Sequence, residues 1–160
     1  MRVGRWGRVP ASGFTYVTVM ALVAILSLGL AVAGPQWSEA QRRDREDELL
    51  RVGQLYAQAI AAYYESSPGS QKQYPQSLDN LLWDARFVGM RRHLRRLYTD
   101  PMNPGQPLLL LKGTDGTVRG VYSASDREPL RRTSLRFERM AEIPPATQYR
   151  QWAFTAAPKI

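Results

Sequence analysis

A single histidine, no cysteine and two clusters of arginine bound what the side chains of this chain could do chemically. Without cysteine there is no thiolate nucleophile, no thiolate metal site and no disulfide framework. His93 lies in Arg91-Arg92-His93-Leu94-Arg95-Arg96, flanked by four arginines, and no neighbour along the chain is placed to orient it as a general base. That pattern predicts a surface histidine beside a solvated basic turn. Ser123, Ser125 and Asp126 have no histidine to complete a triad, and no Gly-x-Ser-x-Gly elbow surrounds them. A catalytic role is therefore not expected. What remains is electrostatic: Arg91, Arg92, Arg95 and Arg96, with Arg131, Arg132, Arg136 and Arg139, could contact nucleic-acid phosphates. Leu94 and Leu97 between them read as anchors of a turn rather than as base-stacking aromatics, which predicts a solvated or lipid-facing surface there.

The positioning elements begin with the N-terminus. Of the formal net charge of +8, three charges belong to Arg2, Arg5 and Arg8, ahead of a block of 21 uncharged residues from Phe14 to Gly34. At ~1.5 Å per residue such a helix crosses the ~30 Å hydrocarbon layer of a bilayer. The arginines hold its first end in the cytoplasm, which sends the chain after Pro35 to the far side, the periplasm of a diderm bacterium. A secretory signal peptide is the competing reading, because Ala31-Val32-Ala33 fits the small-x-small cleavage pattern. The apolar run is longer than the ~7–15 residues usual for a signal-peptide core, and Pro35 would stand beside the cut.

Ser12-Gly13-Phe14-Thr15-Tyr16-Val17 closes a short basic leader at the mouth of the apolar run. This arrangement resembles the type III signal of prepilins, in the type IV pilin-like and type II secretion pseudopilin families. The resemblance implies cleavage after Gly13 by a membrane-embedded aspartic prepilin peptidase and N-methylation of Phe14. It also accounts for Pro35, the twenty-second residue counted from Phe14, where these families tend to carry a proline. Their usual Glu at the fifth mature residue is here Thr18. That carboxylate, costly in lipid, pairs with the N-terminal ammonium of a neighbouring subunit. Thr18 cannot form that pair, and its hydroxyl is expected to bond back to the carbonyl of Phe14. The departure favours a minor subunit over a repeatedly polymerising one.

Beyond Pro35 the chain is expected to resume as helix. Glu39 to Glu48 is charged almost all round, with Arg42 and Glu46 spaced as an i, i+4 pair, and reads as a solvated neck. Leu49, Val52, Tyr56, Ile60 and Tyr63 then form one apolar face, with Gly53 as an internal cost of ~1 kcal/mol. The helix should end by Ser66-Ser67-Pro68-Gly69-Ser70. A short helix near Ser77-Leu78-Asp79, a loop over Thr99 to Gly105, and a hairpin of Leu108–Lys112 with Val118–Ser123 follow. Tyr149 to Thr155 is read as a third strand and Leu135 to Met140 as a helical turn. The expected class is α+β: a pilin-like fold with a long N-terminal helix, transmembrane in its first half, packed on a small antiparallel β-sheet. The divisions are a leader over 1–13, a membrane helix over 14–34 and a periplasmic domain over 35–160.

Tyr74-Pro75, Ser77-Leu78, Leu81, Asp100-Pro101, Asp115-Gly116, Gly120-Val121-Tyr122-Ser123 and Trp152 look, in order, like landmarks of the major type II secretion pseudopilin. That likeness raises calcium, which those proteins hold in the loop before their last strand. The equivalent residues are Ser123, Ser125, Asp126 and Glu128, but Arg127 lies between the two acids, and calcium wants six to eight oxygens. No other cofactor is implied. The function implied is a minor or atypical pseudopilin, a structural subunit of a secretion or pilus-like fibre serving export across the outer membrane. Its partners would be other pseudopilins, the prepilin peptidase and the inner-membrane assembly platform. The alternatives are a DNA-uptake pilin of a competence system, using the basic groups, or a soluble protein freed by signal peptidase.

Overall fold

The computed structural model describes residues 13–157, with side chains over 14–27 and 38–157. The chain divides into two compact units, Met1–Gln41 and Arg42–Ile160. The secondary structure is mixed: a 53-residue helix α1 (Gly13–Glu65), a short helix α2 (Asp79–Leu82), and strands β1 (Leu109–Lys112), β2 (Val118–Tyr122) and β3 (Phe154–Thr155). The three strands form one antiparallel sheet in the order β1-β2-β3, so the class is α+β.

In the first unit the described side chains of α1 over 14–27 carry no charge, and apolar ones face every side. Tyr16, Val17, Val19, Met20, Leu22, Val23, Ile25 and Leu26 are each more than half exposed. The two internal hydroxyls are satisfied by the helix itself: Thr18 Oγ1 donates to the carbonyl of Phe14 at 2.8 Å, as expected, and Ser27 Oγ to that of Val23 at 2.7 Å. Among the described residues no helix is long and apolar enough to cross a membrane. The run read as a membrane span continues to Gly34, and its side chains from 28 onward lie outside the described set, as does the side chain of Pro35. Residues 1–12 of the leader lie outside it as well.

In the second unit the 3.6-residue period does what it predicts. Leu49, Val52, Tyr56, Ile60 and Tyr63 are buried, and Leu50, Ala57 and Ala59 widen the stripe. Val118 and Val121 of β2, Phe154 of β3, and Tyr149, Trp152, Met140 and Ile143 complete the core with it. Each such side chain contributes roughly 1.5–3 kcal/mol by leaving water, which is why a three-stranded sheet this small persists at all. Gly53 has a packing reason: a Cβ there would stand 2.2 to 2.5 Å from ring carbons of Phe154. The helix therefore accepts glycine's conformational cost so that β3 can lie against it.

The hairpin register pairs Leu109 with Tyr122 and Leu110 with Val121, and slips between Leu111 and Lys112. Its turn is closed by Gly113 N donating to Thr117 O at 2.8 Å, with Gly116 at φ 75°. Asp115 Oδ1 accepts from Thr117 N at 3.2 Å, a side-chain mimic of a backbone turn, and from the Thr117 hydroxyl at 2.7 Å.

Three expectations are corrected. Tyr149 to Thr155 is not one strand: Tyr149–Gln151 is a 3-10 turn and only Phe154–Thr155 pairs with β2. The reason lies in Tyr149 and Trp152, both fully buried, with rings 5.1 Å apart and nearly perpendicular. Residues three apart fall on opposite faces of a strand but on one side of a 3-10 turn. Leu135 to Met140 is not helical either. Leu135 and Ile143 exchange both backbone hydrogen bonds at 2.9 Å, and Arg139, at φ 62°, turns the chain so that Met140 can bridge to Ala156. The charged neck, finally, is not solvated all round: Glu46 is buried, and Arg42 donates to the carbonyl of Glu128 rather than pairing with Glu46.

Candidate functional site

His93, expected at the surface, is almost wholly enclosed, its side chain 4% exposed. Its Nε2 lies 2.9 Å from Oδ2 of Asp84, a carboxylate with no exposed surface. The same carboxylate receives Arg86 twice, Nε to Oδ1 at 2.8 Å and Nη2 to Oδ2 at 2.7 Å. Arg86 also donates to the Ser67 hydroxyl at 2.8 Å and to the carbonyl of Tyr63 at 2.9 Å, with its guanidinium 3.5 Å from the centroid of the Tyr63 ring. The Tyr63 carbonyl belongs to the last turn of α1, where backbone acceptors lack helical partners and a cation complements the dipole. The Arg86 hydrogen bonds, and then that of His93, hold the Asp84 carboxyl well below the usual carboxylate range against the opposing effect of burial.

This cluster looks like a base with its orienting acid, but among the described residues no hydroxyl bonds to His93. Ser67 is engaged with Arg86. What the cluster does is mechanical. Backbone bonds from Asp84 N to Arg91 O at 3.0 Å, and from His93 N and Leu94 N to Leu81 O at 2.8 and 2.9 Å, close the chain over residues 84–93 and pin it to the end of α1.

Glu46 makes a second buried carboxylate site. It accepts from the Tyr149 hydroxyl at 2.6 Å and from Leu130 N at 2.8 Å, with Arg131 Nε at 3.4 Å. Burial, reinforced by this carboxylate, pushes the Tyr149 hydroxyl up to about 12. The arrangement joins α1 to the segments around 130 and 149, and sequence reasoning missed it because Glu46 sits in a run of charges that reads as solvated.

The four calcium candidates each have protein partners, Ser125 Oγ accepting from Arg127 N at 3.4 Å. Ser123 is buried and donates to Asp100 Oδ2 at 2.7 Å, and its Oγ accepts from Ser125 N at 3.1 Å. Asp126 pairs with Arg150 at 3.2 Å and Glu128 with Arg132 at 2.9 Å, both exposed. Among the described residues no group of three or more His, Asp or Glu is placed to hold a metal ion. Asp100, unremarked in the sequence beyond its Pro101, is the organiser: its carboxylate also accepts from Met102 N at 2.9 Å, Asn103 Nδ2 at 3.2 Å and Ala124 N at 3.2 Å.

The two arginine groups separate in character. Arg131 pairs with Asp47, Arg132 with Glu128, and Arg136 with Glu142 at 2.8 Å, so that group spends its charge on neighbouring carboxylates. Among the described residues Arg91, Arg92, Arg95 and Arg96 form no ion pair; Arg91 stands 4.5 Å from the Phe87 ring centroid and Arg96 5.0 Å from that of Tyr98. Phe14, in the first described turn of α1, is 84% exposed. Compared with protein-family models, with curated proteins and with solved structures, the chain matches none.

Proposed function

We propose that this chain is a minor or atypical pseudopilin, inserted in the inner membrane by Phe14 to Gly34 with its C-terminal domain in the periplasm, and built into a secretion or pilus-like fibre. The observation that carries the reading is α1 itself. Its first described turns, over 14–27, expose apolar side chains on every side. Its last turns bury a single apolar stripe against an antiparallel sheet. A helix apolar all round needs lipid or other helices to cover it, and one with a single stripe needs a domain. The role is structural. Its partners would be other pseudopilins, the prepilin peptidase that matures it and the inner-membrane assembly platform.

Processing is the direct test. Intact-mass measurement of membrane-extracted protein is expected to give a chain starting at Phe14 and one methyl group heavier, and Gly13→Val is expected to leave the leader attached. A mature chain starting at Gly34 would mean signal-peptidase cleavage and would sink the proposal.

Thr18 sets the assembly behaviour. Its hydroxyl is occupied by the Phe14 carbonyl and offers no charge to a neighbour's ammonium, whereas its own Phe14 ammonium can still pair with a Glu on a different pilin. The chain joins mixed fibres and polymerises poorly alone. Expressed by itself it is expected to give no homopolymeric fibre, and Thr18→Glu should raise crosslinking between N-terminal helices severalfold. Long homopolymers of the unmodified chain would show that helix packing around Ala21, Ala24 and Gly29 suffices without an ion pair.

A further inference from the structure

The segment pinned by Asp84, Arg86 and His93 carries an apolar tip. Between the closing bond of Asp84 N to Arg91 O the chain runs Phe87-Val88-Gly89-Met90, with Gly89 at φ 138° making the reversal. Val88 is fully exposed, Met90 is 63% exposed, and Trp83, just ahead of the loop, is 54% exposed. Immediately after the tip come Arg91, Arg92, Arg95 and Arg96, which form no ion pair among the described residues, and the exposed Leu97.

Phe87 is half-buried beneath Arg91, whereas Val88, Met90 and Trp83 stand in water above a base of buried charge. Burying an ion pair is expensive, and here the Asp84 carboxylate is buried against Arg86 and His93. The effect of that cluster is to present the tip in one fixed shape, so that little ordering is left to pay on contact.

We infer that residues 83–97 form a docking loop for an anionic lipid surface. Val88 and Met90 enter the boundary between headgroups and acyl chains, Trp83 takes the interfacial position its amphipathic ring favours, and the four arginines neutralise headgroup phosphates. Charge complementarity selects this occupant. A neutral apolar partner leaves Arg91, Arg92 and Arg95 without counter-charge, and nucleic acid leaves Val88, Met90 and Trp83 facing a polar backbone.

The absence of cysteine allows the test to be made on the full chain, because Val88→Cys introduces a unique thiol at a fully exposed position for an environment-sensitive fluorophore. The labelled chain is held in phosphatidylcholine nanodiscs and mixed with separate vesicles, of pure phosphatidylcholine or with a third phosphatidylglycerol. A blue-shifted, brighter signal is expected with the anionic vesicles only. Each arginine near an anionic surface is worth about a fivefold gain in binding, so Arg91→Gln with Arg92→Gln should weaken vesicle affinity roughly 25-fold. Met90→Ser should reduce the blue shift while the salt dependence persists. No response to anionic vesicles, an equal response to neutral ones, or a response to duplex DNA or polyglutamate in their place would overturn the assignment. Because the readout lies on the loop and the vesicles are added separately, it is independent of whether the chain matures at Phe14.

Discussion

Gly53→Ala is expected to lower stability by about 1–3 kcal/mol, although alanine is the better helix former by ~1 kcal/mol. The conflict is local: the new methyl would sit 2.2 Å from a ring carbon of Phe154, well inside contact distance. Backing away means lifting β3 from α1, and β3 is held by only two residue pairs to β2. A smaller ring position should relieve it, so Gly53→Ala combined with Phe154→Leu is expected to recover part of the loss. Guanidinium unfolding of the detergent-solubilised chain, followed by near-ultraviolet circular dichroism, reads both. A raised unfolding midpoint for Gly53→Ala would mean that α1 and β3 do not meet this closely.

Asp84→Ala should cost more, about 3–5 kcal/mol, because it leaves the Arg86 guanidinium without its counter-charge and His93 Nε2 without its hydrogen-bond partner. The pH dependence has a definite sign. Asp84 is held below its ordinary value in the folded state, so it contributes stability above roughly pH 4, and that contribution is lost as pH falls toward the folded value. The wild-type chain should therefore lose midpoint on acidification below about pH 4 more steeply than Asp84→Asn, which has no carboxylate to protonate. Parallel pH profiles for the two proteins would show that the carboxylate's charge is not what holds the loop base.

Elements defined by local periodicity were legible in the sequence. The stripe from Leu49 to Tyr63, the end of α1 before Ser66, the short helix near Asp79 and the β1–β2 hairpin all follow from spacing and turn chemistry. The bond from Thr18 to Phe14 followed from the hydroxyl's choices in an apolar helix. Long-range polar pairing was not legible. Nothing local marks Glu46 as the partner of Tyr149, 103 residues away, or distinguishes Asp84 from any other surface acid. His93 was misread for the same reason: four flanking arginines dominate its sequence neighbourhood, while its neighbours in space are Asp84 and the Tyr63 ring. Tyr149 and Trp152 misled in another way, since alternation of large and polar residues suggests a strand, whereas their three-residue spacing is that of a tight turn.

The contact of Gly53 with Phe154 also sets an order of events. The two residues lie about a hundred positions apart, and the strand that carries Phe154 is the last described element of the chain. Contacts of such long separation form late, because the entropy of closing the intervening loop must be met before they return anything. A chain delivered N-terminus first therefore carries the stripe from Leu49 to Tyr63 without its full cover until β3 has arrived. Through that interval it is an aggregation hazard, and its yield depends on how quickly β3 follows the stripe.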